Sequence, residues 1–219
     1  MLTLRRALRS LAKTPGFTIT AVATIALCLG ANLAIFAVVD AILVRPLPFP
    51  EAERLVILYN AYPGAGAARS SSSIPDYFER RHALPALASV SNFQGASFIV
   101  GDGTTPDRVE AARVSPEFFA TLGVPLAKGR AFTDDELTYQ TDQVAILTDE
   151  YWRQRFNADP DVVGRTFLND GLAITIVGIL PPGFRYLSSR AQFFRPTSHE
   201  LKQREPSNRH SNSWEMIAR

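Results

Sequence analysis

The sequence is poor in the residues that build most metal and redox sites. It has one cysteine, Cys28, and three histidines in 219 residues. One cysteine excludes an intramolecular disulfide framework and a cysteine-rich metal site. His82, His199 and His210 have no metal-ligand spacing to one another or to Cys28, so we predict that all three are surface residues.

Familiar catalytic motifs are absent as well. The sequence has no G-x-x-x-x-G-K-[ST] phosphate loop, no G-x-S-x-G nucleophile elbow and no H-E-x-x-H zinc motif. Asp134, Asp135 and Glu136 suggest a hard-cation site, but three consecutive acids cannot all face one ion from a regular element, and the start of a short helix explains them better. We therefore predict no catalytic, cofactor-binding or metal-binding residue, and no enzyme activity.

The overall charge is too small to indicate nucleic acid as a partner, since the formal net charge is +2. The composition, 46% apolar and 20% charged, is ordinary for a folded protein and excludes collagen-like, coiled-coil and fully disordered classes.

One long uncharged run dominates the N-terminal part of the sequence. Residues 14–39 are 26 consecutive residues without a charged side chain. A helix over the apolar part, 17–39, is roughly 34 Å long, against a hydrocarbon core of about 30 Å. A cleaved signal peptide is the alternative, but its apolar region usually spans about 7–15 residues and ends at a small-residue cleavage site. We predict a transmembrane helix at 17–44.

The charged residues around this helix predict its orientation. Four basic residues and no acid precede it: Arg5, Arg6, Arg9 and Lys13. By the positive-inside rule, segment 1–16 is cytoplasmic and residues 45–219 are extracytoplasmic. Residues 2–11 carry leucines at helical spacing opposite arginines, which fits either an amphipathic helix on the membrane or a simple topogenic flank. From Arg45 onward, 19 basic and 20 acidic residues indicate a solvated domain.

Small and polar residues within the predicted span suggest contact with other helices. Gly30 and Ala34 form a small-xxx-small pattern, which lets helix backbones approach closely. Asn32 in hydrocarbon favours a hydrogen-bond partner. We predict that Gly30, Asn32 and Ala34 pack against other membrane helices.

Residues 45–219 are predicted to fold as an α+β domain. Strands are predicted at 55–59, 90–100, 108–114, 144–147, 165–168 and 172–180, and helices at 75–81, 116–122 and 149–156. Ser115 and Thr148 are the expected N-caps, and the Asp170–Gly171 pair predicts a type I′ hairpin turn. Segment 62–73 is predicted to be a mobile loop, and 133–136 a short helix or turn.

The aromatic pairs and the C-terminal segment receive separate predictions. Phe118 and Phe119 are expected in the core, whereas Phe193 and Phe194 lie in a polar, irregular segment, 192–213, and are expected to be exposed as a contact surface. Alternation from Trp214 to the C-terminus predicts a strand, which we expect to be interrupted by truncation of the domain.

Four stretches, at 13–50, 73–81, 113–136 and 144–184, resemble permease subunits of the MacB-like branch of ABC transporters, which includes FtsX-like and lipoprotein-releasing permeases. The resemblance implies one N-terminal transmembrane helix, then an extracytoplasmic core domain of two α+β lobes, and further helices beyond it. It also implies a non-catalytic subunit of an ATP-driven exporter or mechanotransmission complex in the bacterial inner membrane, with the core domain on the periplasmic side.

The partners implied by the resemblance are an ABC ATPase subunit, a second permease copy and the lipid bilayer, with ATP bound by the ATPase rather than by this chain. Two alternatives stay open. The chain could be a single-pass, membrane-anchored binding or sensor module, or a non-functional permease fragment.

Overall fold

The computed structural model describes residues 13–40, 47–101, 106–186 and 189–219, with the side chain of His82 excepted. The amphipathic stretch predicted at 2–11 and the flanking Arg45 lie outside these residues. The chain divides into two compact units, and the boundary along the sequence falls between Leu47 and Pro48.

In the first unit, the described residues form one long helix, α1 (Pro15–Val39), of 25 residues. Pro15 occupies the first turn, where its missing N–H leaves no hydrogen bond unmade. Apolar side chains surround the whole helix and all of its residues are at least partly exposed, with Phe17, Leu27 and Leu33 among the most exposed. At about 1.5 Å per residue, α1 is roughly 37 Å long, which is enough to cross a bilayer.

The second unit, Pro48–Arg219, is built mainly of short strands. Its strands are β1 (Val56–Leu58), β2 (Asn60–Tyr62), β3 (Ala67–Ser70), β4 (Val90–Val100), β5 (Asp107–Val114), β6 (Lys128–Gly129), β7 (Val144–Leu147), β8 (Thr166–Asn169), β9 (Leu172–Ile179), β10 (Phe193–Pro196) and β11 (Glu215–Ala218). Its helices are α2 (Ile74–Ala83), α3 (Phe118–Leu122) and α4 (Asp149–Phe156). Short 3-10 turns lie at Ala52–Arg54, Pro63–Ala65, Asp134–Leu137, Leu201–Arg204 and Pro206–Asn208.

The main sheet has the order β1-β11-β4-β5-β10-β7-β9-β6, and β8 pairs with both β9 and β4. Strands β4, β5, β10, β7, β9 and β8 therefore form a closed ring of six strands. The β5–β10 and β7–β9 pairs are parallel and the other pairs of the ring are antiparallel. At the β4–β8 seam, the Asp170 N–H donates to the Ile99 carbonyl at 2.8 Å.

Alternate residues of the ring strands point inward and form an apolar core. This core comprises Phe98, Val100, Val109, Ala111, Ala145, Leu147, Phe167, Ile174, Ile176 and Phe193, together with Tyr151 and Trp152 of α4. Tyr151 stacks on Phe193 with ring centroids 5.9 Å apart. Helix α4 thus closes one end of the ring, and burial raises the pKa of the Tyr151 phenol to about 12.

Two further cores lie outside the ring. One, under α3, includes Phe118, Phe119, Leu122 and Phe194, which confirms the predicted burial of the Phe118–Phe119 pair. The other lies between α2 and the β1-β11-β4 part of the sheet and includes Tyr77, Val90, Met216 and Ala218.

Residues 192–213 were predicted to be irregular, with Phe193 and Phe194 exposed, and this prediction is wrong for residues 193–196. Strand β10 lies between β5 and β7, in the middle of the sheet. Phe193 and Phe194 are 0% and 2% exposed, because one enters the ring and the other enters the core under α3. Neither phenylalanine is therefore available as an exposed contact surface.

Segment 62–73 is also more ordered than predicted. Strands β2 and β3 form an antiparallel hairpin in which Asn60 pairs with Ser70. Ser72 then forms a β-bridge with Trp214, so the segment is tied to the C-terminal part of the domain. The many small residues of this segment serve the turn Pro63–Ala65 and the hairpin, rather than a free loop.

Local capping predictions give a mixed result. The Thr148 hydroxyl accepts a hydrogen bond from the Tyr151 N–H at 3.2 Å, as expected for an N-cap. Asp170 and Gly171 have φ angles of 50° and 77°, as the predicted turn requires. Ser115 is not a side-chain cap, because its hydroxyl accepts from the Asn92 N–H of β4 and helix α3 begins after Glu117.

Arg219, which follows β11, is bonded to residues near the start of the second unit. Its guanidinium donates to the Pro50 carbonyl at 2.7 Å and to the Thr121 carbonyl at 2.8 Å. Its backbone N–H donates to the Ser89 carbonyl at 3.0 Å. The N-terminal and C-terminal ends of the second unit therefore lie side by side.

Candidate functional site

The three residues of α1 that are predicted to pack against other membrane helices do not all lie on the same side of the helix. Successive residues are about 100° apart around an α-helix, so Gly30 and Ala34 lie about 40° apart, whereas Asn32 lies on the opposite side. The Asn32 carboxamide donates to the Cys28 carbonyl at 2.9 Å, within the same helix. A Cβ added at Gly30 meets no atom within 4 Å. Contact of these residues with other helices stays a prediction, and Gly30 with Ala34 is the pair that one partner helix could cover.

The acidic run at 134–136 is engaged in ion pairs and a cap, in agreement with the predicted short helix. Glu136 accepts from the Thr133 N–H at 2.9 Å and pairs with Arg130 at 2.6 Å. Asp134 pairs with Arg81 of α2 at 2.8 Å. Among the described residues, no group of three histidine, cysteine or acidic side chains could hold a metal ion.

Arg81 joins three elements of the domain through its ion pairs. Besides Asp134, it binds the carboxylate of Glu117, which also accepts from the Tyr77 hydroxyl at 2.8 Å. Burial raises the pKa of the Tyr77 phenol, and the neighbouring Glu117 carboxylate raises it further. Helix α2, the start of α3 and the turn Asp134–Leu137 are therefore fixed to one another.

A second polar network anchors the β2–β3 hairpin. Asn60 donates to the Asp76 carboxylate at 2.7 Å and accepts from Arg80 at 2.6 Å. The Asn212 amide donates to the Tyr62 hydroxyl at 3.0 Å. Burial alone raises the pKa of Asp76, but hydrogen bonds from Asn60 and Ser73 outweigh it and hold that pKa below its usual range. The hairpin is thus held to α2 and to the segment before β11.

The end of the ring opposite α4 is polar. Parallel strands β5 and β10 end there, and β7 and β9 begin there. We call this end the mouth and define it by Arg113, Arg195, Asp142, Asn169 and Ser198.

Arg195 is the most deeply buried charge of the mouth. Its guanidinium binds the Asp142 carboxylate at 3.1 Å and the Asn169 carboxamide at 3.2 Å, and it lies 5.4 Å from the centre of the Phe98 ring. Asp142 also accepts from the Ser198 hydroxyl at 2.7 Å. Burial lowers the pKa of the Arg195 guanidinium, and the Asp142 charge opposes this effect. The Arg195 Nε has no hydrogen-bond partner among the described residues.

Arg113 lies directly beside Arg195 across the parallel β5–β10 pair. Its guanidinium lies 5.5 Å from the centre of the same Phe98 ring. Val109, Ala111 and Arg113 alternate along β5, and the first two point into the ring, so Arg113 does as well. This period-two spacing is the one sequence signal that could have placed Arg113 in the mouth.

A cavity of about 690 Å³ opens over the mouth. Its charged lining consists of Arg113, Arg195, Asp142, Asp170 and Glu200, and His199 lines it too.

The prediction that all three histidines are surface residues is wrong for His199, which is 2% exposed, whereas His210 is exposed as predicted. The His199 ring packs edge-on against Phe78 at 5.2 Å. Neither ring nitrogen has a partner among the described residues. Burial, with a smaller contribution from the nearby Arg204 charge, lowers the pKa of His199 to about 4.

Comparison with known proteins identifies the family. Residues 18–218 match the family described as the MacB-like periplasmic core domain. The macrolide export ATP-binding/permease protein MacB of Burkholderia pseudomallei is 28% identical over 134 residues, which cover 55% of this chain and 19% of that protein. The matched region thus spans about a fifth of the length of the curated relatives.

Two solved structures have a similar fold. The periplasmic region of MacB from Actinobacillus actinomycetemcomitans aligns with a TM-score of 0.52 at 18% identity, over 75% of this chain and 73% of that one. The extracellular domain of the ABC-type transporter YknZ from Gram-positive bacteria aligns with a TM-score of 0.50 at 11% identity, over 75% and 82%. An apolar helix followed by this mixed helix-and-sheet domain, with a family match over nearly the whole chain, shows that the chain belongs to the MacB-like periplasmic core domain family.

Proposed function

We propose that this chain is the membrane subunit, or part of the membrane subunit, of an ATP-driven ABC exporter or mechanotransmission complex. The observation that carries the proposal is the direct succession of an exposed apolar helix and a MacB-like periplasmic core domain in one chain. A helix with no buried side chain needs lipid or other helices around it. The N-terminus would lie in the cytoplasm and the core domain in the periplasm of a bacterial inner membrane.

The subunit would have no catalytic role and would bind no ATP itself. The sequence contains no phosphate loop, and the ion pairs Arg81–Glu117 and Arg130–Glu136 lie within the domain. An ABC ATPase would bind ATP, and a second permease copy would complete the membrane part. Motion of the ATPase would then reach the periplasmic domain through the membrane helices.

Purification of the tagged full chain from membranes in mild detergent tests this assignment. We expect an ATPase with a phosphate-loop motif to co-purify, and its ATP turnover in proteoliposomes to change severalfold when the chain is removed. Photolabelling with 8-azido-ATP is expected to label that ATPase and not this chain. A chain that purifies alone, with no effect on any ATPase, would instead support the membrane-anchored binding or sensor module. Specific labelling of the chain itself contradicts its proposed non-binding role.

A further inference from the structure

The mouth of the ring contains two arginines whose like charges lie close together. Arg113 and Arg195 are direct neighbours on parallel strands, point to the same face and share the Phe98 ring. Like charges placed opposite each other on neighbouring strands destabilise a sheet. A fold that retains such a pair needs compensating negative charge at that place.

Among the described residues, only one of the two arginines has an ion pair. Asp142 pairs with Arg195 and is also bound by Ser198. Arg113 is half-buried and makes no hydrogen bond or ion pair with any residue that the structure describes. A partly buried guanidinium without a counter-ion carries a desolvation cost that a ligand anion would offset.

The space above the two arginines is suited to a small ligand. The cavity of about 690 Å³ lies within the usual range for ligand sites, roughly 300–1,000 Å³, and such sites occur at the mouths of barrels. Its lining includes Arg113, whose guanidinium is half-buried, and the exposed ring of Tyr139.

The acidic side chains around the cavity restrict the charge of that molecule. Asp170 and Glu200 are exposed on its rim, and Asp142 lies deeper. Together they would repel a doubly charged phosphate but would attract an ammonium group. A single carboxylate matches the one uncompensated guanidinium, Arg113.

We propose that the mouth binds a small zwitterion of amino-acid or short-peptide size. Its carboxylate would bind Arg113 and its ammonium group would face Asp170 and Glu200. The exposed ring of Tyr139, which also lines the cavity, offers an apolar surface for the body of the ligand. This site goes beyond the proposed transport role, and binding to it needs no ATPase.

Calorimetric titration of the full chain in detergent micelles tests the site with trialanine as the probe. We expect trialanine to bind, and its C-terminal amide and its N-acetyl form each to bind at least about tenfold more weakly, a loss of roughly 1.4 kcal/mol. Inorganic phosphate is expected not to compete. Absence of trialanine binding, or tighter binding of phosphate than of trialanine, overturns the proposal.

Two substitutions on β5 distinguish specific binding at Arg113 from a general effect of removing a positive charge. R113Q is expected to weaken trialanine binding at least about tenfold. R108Q is the matched control, because Arg108 also lies on β5 but is exposed and donates to the Ser97 hydroxyl at 2.9 Å. Equal affinity of R113Q and the wild type excludes Arg113 as the carboxylate anchor.

The thermal midpoint without ligand distinguishes a binding residue from a structural one. Since R113Q removes a like-charge neighbour of Arg195, its midpoint is expected to equal or exceed that of the wild type. If R113Q is unstable, R113K tests the site instead, because lysine keeps the positive charge but lacks the planar guanidinium that binds a carboxylate through two hydrogen bonds. A stable R113K that binds weakly supports the site, and one that binds as the wild type does overturns it.

Discussion

Two buried basic side chains of the domain are accommodated in different ways. Arg195 keeps its charge next to Asp142 and shares hydrogen bonds with Asn169. His199 has a basic neighbour, Arg204, and its ring packs against Phe78, so the neutral ring is the favoured form. At the scale of single residues, burial with a carboxylate preserves a charge, and burial without one removes it.

The neutral state of His199 makes the domain sensitive to acid. The pKa of a histidine in an unfolded chain is about 6.5, whereas burial lowers the pKa of folded His199 to about 4. Between these two pH values only the unfolded state takes up the proton, so the free energy of unfolding falls as pH is lowered, by up to about 3 kcal/mol. Above about pH 6.5 both states are neutral and the residue adds no pH dependence.

Substitution of His199 by phenylalanine tests this effect. The ring at this position packs against an aromatic neighbour, so H199F keeps an apolar contact and removes the titrating group. We expect the thermal midpoint of H199F to fall less than that of the wild type between pH 7 and pH 4.5, by about 5 °C or more. Equal losses in the two proteins would show that His199 does not carry the sensitivity.

At the scale of elements, β10 contributes more to the fold than its four residues suggest. It pairs with β5 on one side and β7 on the other, and its successive side chains enter two different cores. We expect F193A to lower the free energy of unfolding by about 3–5 kcal/mol, since Phe193 is fully buried inside the ring.

Denaturant unfolding of F193A measures this loss. L201A is a suitable control because Leu201 is 68% exposed, and it should change stability by less than about 0.5 kcal/mol. A similar, small effect of both substitutions would mean that β10 is not a central strand.

Helix α1 provides a test of contact between membrane helices. Because no atom lies within 4 Å of a Cβ at Gly30, a larger side chain there meets nothing in its own chain. If Gly30 and Ala34 form a helix-packing face, G30L is expected to weaken self-association severalfold, measured by energy transfer between labelled copies in lipid vesicles. C28L enlarges a residue on the opposite side and should leave association unchanged, whereas equal energy transfer in G30L and C28L contradicts this face.

At the scale of the whole molecule, basic residues before α1 and a balanced domain after it predict one orientation in the membrane. We expect a cysteine at Ala65, in an exposed turn, to react with a membrane-impermeant maleimide in spheroplasts. A cysteine at Lys13 should react only after permeabilisation. Both proteins carry C28A to remove the native thiol, and the reverse pattern of labelling contradicts the orientation.

Features that depend on residues adjacent in sequence could be predicted, whereas features that depend on residues distant in sequence could not. The long apolar helix α1, the α4 cap at Thr148 and the Asp170–Gly171 turn depend on adjacent residues and were predicted. Strand β10 was missed because Arg195 and Pro196 interrupt any apolar pattern, and their places depend on Asp142 and β5, which are distant in sequence. Burial of His199 likewise results from packing against Phe78 of α2.

The adjacency of Pro50 and Arg219 determines how the domain would respond to tension. Strand β1 runs antiparallel to β11, with Val56 opposite Ala218, so a force that separates Pro50 from Arg219 acts on one end of this pair. The hydrogen bonds between the strands would then break one after another, as in a zipper, rather than all together in shear. The Arg219 contacts lie at that end of the pair, so they would break before the hydrogen bonds between the strands.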